Sequence, residues 1–155
     1  MSMNTLVWII TVPVVLVVVT FFFLGWHSAR IEPTRMVSTA DSLPPCPDSP
    51  NCVCSEAAET DAVHGIAPLK AGVETLTLSR VRASIEQLGG RIESASDSYL
   101  HATFVSPLFR FVDDVEVLAA GEIFHVRSAS RVGYSDLSAN RKRIEALRSL
   151  LGPSS

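Results

Sequence analysis

The chain has 155 residues, of which 47% are hydrophobic, and a formal net charge of -3. Apart from an apolar run at the N-terminus, about 120 residues remain, which suffice for one modest domain with a single core. A slightly negative chain binds polyanions poorly, so the composition argues against a nucleic-acid partner.

Residues 6–24 form an uncharged apolar run of 19 residues. A helix needs roughly 20 residues to cross a bilayer, whereas the core of a secretory signal has about 7 to 15. No basic segment precedes the run, and Trp8 and Trp26 lie near its ends, as interfacial aromatic residues do. The run therefore predicts an uncleaved single-pass anchor within residues 1–30, in the inner (cell) membrane.

The orientation of this anchor is left open by the residues around it. Arg30 and Arg35 follow the run and no basic residue precedes it, which by the positive-inside rule places the following domain in the cytoplasm. Two arginines are a weak signal, and the cysteines favour the opposite orientation.

Three cysteines, Cys46, Cys52 and Cys54, lie in the segment CPDSPNCVC. A Cys46–Cys52 disulfide would close a short loop and would persist only in an oxidising compartment, with Cys54 as the odd thiol. The alternative is a zinc site made of the three thiols and His64, which would suit a cytoplasm-facing zinc-binding protein. No second cysteine pair supports that alternative.

Prolines exclude regular structure from most of residues 31–69, which we predict to be an acidic tether that carries the cysteine loop. The predicted domain follows at residues 70–152, with a tail at 153–155. Its elements are a strand at 75–78, a helix capped by Ser79, strands at 91–105, 111–118 and 123–131, and a helix opening at Asp136 or Ser138. The order β-α-β-β-β-α predicts an α+β fold, in which a small antiparallel sheet carries two helices, preceded by one transmembrane helix and the Pro-rich tether.

The apolar residues of the last two predicted strands suggest how these strands pair. If residues 119–122 form the turn, Val117 lies opposite Phe124 on the core face. The same register places Asp114 opposite Arg127 on the other face. We therefore predict a cross-strand ion pair between Asp114 and Arg127.

Polar residues are concentrated in the segments FRFVDDVEV and RSASRVGYSDLSANRKRIEALR. We interpret them as one structural network or ligand site. The candidates are Asp113, Asp114, Glu116, Arg127, Ser128, Arg131, Tyr134, Asp136, Asn140 and Arg141.

Three chemistries are open to this cluster. Asp113 and Asp114 point to opposite faces of a strand, so we favour salt bridges over a metal site and expect no metal or cofactor. The arginines could instead bind a small anion, since guanidinium groups suit carboxylate and phosphate. A third possibility is an enzyme in which Asp114, Arg127, Tyr134 and Asp136 line a pocket and a carboxylate acts as general base, but the glycine-flanked serine of hydrolases is absent.

The motifs CPDSPNCV, FRFVDDVEV and RSASRVGYSDLSANRKRIEALR together resemble an uncharacterised bacterial and plastid family, the domain of unknown function numbered fourteen-ninety-nine. The resemblance covers roughly residues 45–150. It implies a small domain often carried behind a signal peptide, lipid anchor or membrane helix, and it supplies no activity. The family usually has Ser at the position of Cys54, which implies that Cys46 and Cys52 are the paired cysteines.

These observations predict a membrane-anchored domain, with its soluble part in the periplasm, that binds or scaffolds an unknown protein or small-anion partner. The residues do not decide whether the chain is an enzyme, but they favour a protein without catalytic activity.

Overall fold

The computed structural model describes residues 2–32, 42–58, 60–70 and 76–152. The helices are α1 Met3–Ser28, α2 Leu78–Gln87 and α3 Ala139–Leu151. The strands are β1 Cys52–Cys54, β2 Leu69–Lys70, β3 Arg91–Ala95, β4 Tyr99–Val105, β5 Val112–Ala120 and β6 Ile123–Ser130. The predicted α+β class, with an antiparallel sheet and an apolar N-terminal helix, is confirmed.

The six strands form one antiparallel sheet in the order β1-β6-β5-β4-β3, and β2 also pairs with β6. Strands β3 to β6 follow one another along the chain and pair as successive hairpins. Helices α2 and α3 cover one face, where Ile85 and Ile144 pack with Val115, Val117 and Val126 in the main core. The alternation of side chains along β5 sends Asp114 and Glu116 to the other face and leaves Asp113 on the helix-covered face.

Three predicted elements differ from those observed. The predicted strand at 75–78 is wrong in its described part, because Leu78 already begins α2; residue 75 lies outside the described residues. The cap of α2 is Thr77, whose hydroxyl accepts a hydrogen bond from the Arg80 amide, rather than Ser79. The single strand predicted at 91–105 is the β3–β4 hairpin, which turns where the Ser96 amide donates to the Tyr99 carbonyl over 2.8 Å.

The predicted tether also contains regular structure. Strand β1 lies within residues 31–69, β2 begins at Leu69, and both extend the sheet beyond β6. They occupy the proline-free stretches of that segment, where backbone amides remain available for pairing with a sheet edge. The division into anchor, tether and domain stays a prediction, and the predicted tail lies outside the described residues.

The predicted register of the last hairpin is wrong by two residues. Val117 lies opposite Val126, not Phe124, and Glu116 lies opposite Arg127. The turn consists of two residues, Gly121 and Glu122, instead of four, because Gly121 adopts a φ of 66° that favours a tight reversal. A shift of two residues keeps every side chain on its face, so the core was assigned correctly while the cross-strand partners changed.

Helix α1 is long and apolar enough to cross a membrane, since the mean hydropathy over an 18-residue window of the helix is 2.8. Its last turn contacts the domain. The Ser28 hydroxyl accepts a hydrogen bond from the Val112 amide over 2.9 Å and lies 3.3 Å from the Val112 carbonyl. The helix therefore meets the sheet where β5 begins.

Candidate functional site: the polar face of the sheet

The face of the sheet opposite the two helices, called here the polar face, carries charged side chains that are buried. His101 and Thr103 on β4, Asp114 and Glu116 on β5, and Arg127 on β6 are each less than 9% exposed. Buried charges are rare unless they are paired, because removal from water penalises the charged form. Their pairing therefore decides what this face can do.

Asp114 is the centre of the first ion-paired group. Arg131 binds its carboxylate with two nitrogens, at 2.7 Å and 2.8 Å, and His101 Nε2 lies 2.7 Å from Oδ1. Burial alone would raise the pKa of Asp114, but the hydrogen bonds from Arg131 and His101 outweigh it and hold the pKa below its ordinary value. The same pairing raises the pKa of Arg131. Asp114 is thus a fixed negative charge.

His101 has one unused ring nitrogen. The ionised Asp114 carboxylate can only accept, so Nε2 is the donor in this contact. Among the described residues, His101 Nδ1 and Arg127 Nε are the buried side-chain nitrogens or oxygens without a hydrogen-bond partner. Both lie on the polar face, so the network there is not closed upon itself.

Glu116 is the centre of the second group. Arg127 donates to Oε2 over 2.9 Å, and the Tyr99 hydroxyl donates to Oε1 over 2.9 Å. Burial and the neighbouring Glu116 charge raise the pKa of Tyr99, which holds its hydroxyl as a donor. The predicted pair between Asp114 and Arg127 is therefore wrong: the register places Arg127 beside Glu116, and Asp114 pairs with Arg131.

Two cavities open on the polar face. The larger, called here the arginine cavity, has a volume of about 770 Å³ and is lined by Arg91, Arg110 and Arg131. Its other polar lining residues are Glu93, Ser94, His101 and Thr103. A second cavity of about 600 Å³ lies between the disulfide loop and the side chains of Asp114, Arg127 and Arg131.

The arginine cavity carries an excess of positive charge. Its one lining carboxylate, Glu93, accepts from the Thr103 hydroxyl over 2.6 Å and lies 2.7 Å from Arg91. The Thr103 hydrogen bond and then the Arg91 contacts lower the pKa of Glu93 against an opposing effect of burial. Three guanidinium groups thus face one carboxylate in the cavity wall, and Asp114 pairs with Arg131 from beneath, so the local excess is one positive charge.

The remaining predicted site residues lie elsewhere. Asp113 pairs with Arg143 over 2.6 Å on the helix-covered face. Asn140 is fully buried there and donates to the Asn51 carbonyl over 2.9 Å, while the Ser128 hydroxyl donates to its Oδ1 over 2.6 Å. These contacts join α3 to β6 and to the segment that precedes β1.

The last three candidates lie outside both ion-paired groups and outside these contacts of α3. Asp136 accepts from the Asn140 amide over 2.8 Å and so caps α3. Tyr134 is 76% exposed, and Arg141 donates to the Val63 carbonyl over 3.0 Å. The structure therefore does not bring Tyr134 and Asp136 together with Asp114 and Arg127 in the pocket that the enzyme hypothesis required.

Several site residues were missed by the sequence reading. Arg143 was considered as an anion ligand but left out of the candidate list, although it follows Asn140 by one helical turn, a spacing that places both on one face. His101 was expected to be a packed or cross-strand histidine. The other polar residues of β3 and β4 were overlooked because their alternation was not registered against β5; these are Arg91, Glu93, Tyr99 and Thr103. Arg110 lies in a loop whose position no local pattern reveals.

The cysteine segment is cross-linked by a disulfide. Cys46 and Cys52 form a disulfide, and Cys54 is a buried free thiol whose pKa is raised by burial. His64 Nδ1 lies 2.8 Å from Asp61 Oδ2. The described residues hold no group of three or more side chains able to bind a metal ion, and the disulfide takes two thiols of the alternative zinc site.

A family model described as "Protein of unknown function (DUF1499)" matches residues 42–151. The chain belongs to this family. The match begins at the segment that carries the disulfide and ends at the last residue of α3, so the family unit includes β1 and β2 as well as the residues of the two ion-paired groups. No curated protein matches the chain.

Proposed function

We propose that this chain is a single-pass membrane protein whose extracytoplasmic domain binds a small phosphate- or carboxylate-bearing anion in the arginine cavity. The observation that carries the proposal is the lining of that cavity, with Arg91, Arg110 and Arg131 against the single carboxylate of Glu93. Guanidinium groups bind both oxyanions with paired hydrogen bonds.

The ion pairs beneath the cavity support this proposal by fixing its floor. Arg131 is held at both ends, by Asp114 and by a 2.8 Å hydrogen bond to the Ile31 carbonyl. A guanidinium held in this way is pre-organised, so an anion that binds it does not have to order the side chain first. His101 also lines this cavity, and its buried Nδ1 has no hydrogen-bond partner.

Titration of the full-length protein in detergent micelles with inorganic phosphate and with acetate tests the anion site. We expect saturable binding of at least one of them, and a loss of about tenfold or more in affinity for Arg110→Gln, because a charged hydrogen bond contributes about 1.5 kcal/mol or more. Arg82→Gln is the matched control: Arg82 lies on α2 and pairs with Glu86 at the surface. Absence of binding by the parent, or equal weakening in both variants, would refute the site.

The extracytoplasmic orientation is supported by the disulfide, which persists in oxidising compartments, against the two arginines that follow the apolar run. Intact mass of the membrane-expressed protein after thiol trapping, under native and then denaturing conditions, tests it, because the buried Cys54 becomes accessible only on denaturation. One trapped thiol, with residues 1–30 retained, is the expected result. Three trapped thiols would place the domain in the cytoplasm, and loss of the apolar run would make it a cleaved signal.

A further inference from the structure

The loop of residues 106–111, called here the docking loop, packs along the domain-side end of α1. The Phe109 ring lies 4.9 Å from that of Phe21 and 5.4 Å from that of Phe22, centroid to centroid. One turn further on, a β-carbon at Gly25 would overlap the Phe109 carbonyl, so the absence of a side chain there permits the close approach. The contact therefore extends over more than one turn of the helix.

This packing fixes the depth of the docking loop. Phe21 and Phe22 belong to the apolar run of residues 6–24, and Phe22 lies two residues, or about 3 Å of helix, before its end. A side chain packed beside them shares their depth, which is the edge of the hydrocarbon layer if the run spans the bilayer. Phe109 is at this level.

The docking loop also exposes apolar surface. Leu108 is 64% exposed, and the neighbouring Val105 is 43% exposed. These exposed apolar side chains continue the surface of the membrane helix. The acyl chains of the same bilayer would therefore cover them.

Basic residues lie next to this apolar surface, at the height expected of lipid headgroups. Arg30 stacks over the Trp26 ring at 3.8 Å, just beyond the apolar run. Arg110 follows Phe109 and lines the arginine cavity together with Ala29, the residue after α1. The cavity thus opens where α1 leaves the bilayer.

We infer that the docking loop inserts into the leaflet on the domain side, beside α1, and that the arginine cavity binds the phosphate of an anionic lipid headgroup. The inference rests on the proposed function, since it takes α1 as a span and the cavity as the anion site. It names the partner as the bilayer itself. The domain would then lie against the membrane at the edge formed by the docking loop, with the turn at Gly121 and Glu122 directed away from it, at the other end of β5.

Nitroxide labels on the full-length protein in lipid nanodiscs test the insertion. Leu108→Cys, Val15→Cys and Glu122→Cys place the label on the docking loop, within the span and at the far end of the sheet. Cys46 and Cys52 are bonded and Cys54 is buried, so the native cysteines offer no exposed thiol. We expect the labels at positions 108 and 15 to be accessible to oxygen and shielded from a water-soluble nickel chelate, and the label at position 122 to behave oppositely.

The three labelled positions distinguish insertion of the docking loop from the membrane span of α1. A shielded label at position 15 with a fully aqueous label at position 108 overturns the insertion and leaves the anchor intact. An aqueous label at position 15, or its removal with a cleaved segment, overturns the anchor on which the inference rests.

Retention of lipid by the purified protein tests the headgroup. Nanodiscs of phosphatidylcholine with a minor share of phosphatidylglycerol are dissolved in detergent, and bound lipid is measured by native mass spectrometry. We expect selective retention of phosphatidylglycerol, reduced roughly 25-fold in the Arg91→Gln/Arg110→Gln variant, because each basic residue near an anionic surface strengthens binding about fivefold.

The matched control for lipid retention is Arg82→Gln/Arg148→Gln, which removes the same charge from the helices. Equal retention by the two double variants would overturn the headgroup assignment. So would retention of phosphatidylcholine and phosphatidylglycerol in the proportion supplied, because the cavity would then not select an anionic headgroup.

Discussion

At the scale of single residues, the polar face holds its charges by mutual pairing. Glu116 accepts from both Arg127 and Tyr99, and Asp114 accepts from both Arg131 and His101. Each carboxylate is thereby satisfied by two donors, which offsets its removal from water. Removal of one donor should therefore have a larger effect than removal of a surface ion pair.

Arg127→Ala should lower the free energy of unfolding by about 3 to 5 kcal/mol, because it leaves the Glu116 carboxylate buried with a single donor. Urea denaturation of the full-length protein in micelles, followed by circular dichroism, measures the change. Arg82→Ala, which breaks an exposed pair, should change it by less than about 1 kcal/mol. Similar losses in the two variants would show that the buried pair does not stabilise the domain.

Acid should destabilise the domain partly through Asp114. Its pKa in the folded state is below the value of about 3.9 expected in the unfolded chain, so the stability it contributes is present above pH 4 and is lost as the pH falls through the folded pKa. In Arg131→Gln, burial still raises the pKa of Asp114, but the Arg131 hydrogen bonds that lower it most are lost. Urea denaturation between pH 2 and 7 should show a weaker acid decline in Arg131→Gln; an unchanged slope would contradict the assignment.

The residue types of this network were visible in the sequence, but their partners were not. The segments containing Asp113 to Glu116 and Arg127 to Arg131 were correctly identified as rich in paired polar groups. Which carboxylate meets which arginine depends on strand register, and a shift of two residues replaced Asp114 with Glu116 as the partner of Arg127. His101 enters the network only because β4 lies beside β5.

At the scale of elements, local signals determined the type of each segment better than its ends. Val81 and Ile85 predicted α2, and Ile144 and Leu147 predicted α3, because apolar residues at helical spacing identify the buried face of a helix. The short strands β1 and β2 were missed because two or three residues carry no periodic signal. Their extended structure depends on pairing with β6.

The disulfide joins the segment before β1 to the edge of the sheet. Cys46→Ser/Cys52→Ser should lower the free energy of unfolding by about 2 kcal/mol, the chain-entropy value for a loop with a sequence separation of 6. Cys54→Ser is the control, since that thiol is free. Comparison of urea midpoints measures both changes, and equal stability of parent and double variant would show that β1 holds its place without the disulfide.

At the scale of the whole molecule, α1 and the domain meet through Ser28, Gly25 and the docking loop. Gly25→Ala should separate them, because the added methyl group overlaps the Phe109 carbonyl. Alanine favours a helix over glycine by about 0.5 to 1 kcal/mol, so α1 itself would not be weakened.

Hydrogen exchange of the full-length protein in nanodiscs measures this separation. The Val112 amide, which donates to Ser28, should lose protection in Gly25→Ala and keep it in Thr20→Ala, a control on the same helix. Protection of Val112 in both variants would show that the docking loop can shift without leaving α1.

The sequence alone determined the apolar N-terminal helix, the α+β class, the family and the segments that hold the buried charges. These properties depend on runs and periodicities within short stretches, where local residues suffice. Only the tertiary structure decided the partners of Glu116 and Asp114, the two edge strands, the arginine cavity and the contact between Gly25 and the docking loop. Each of these brings together residues distant in the chain, and their positions follow from strand register and close packing, which no local pattern encodes.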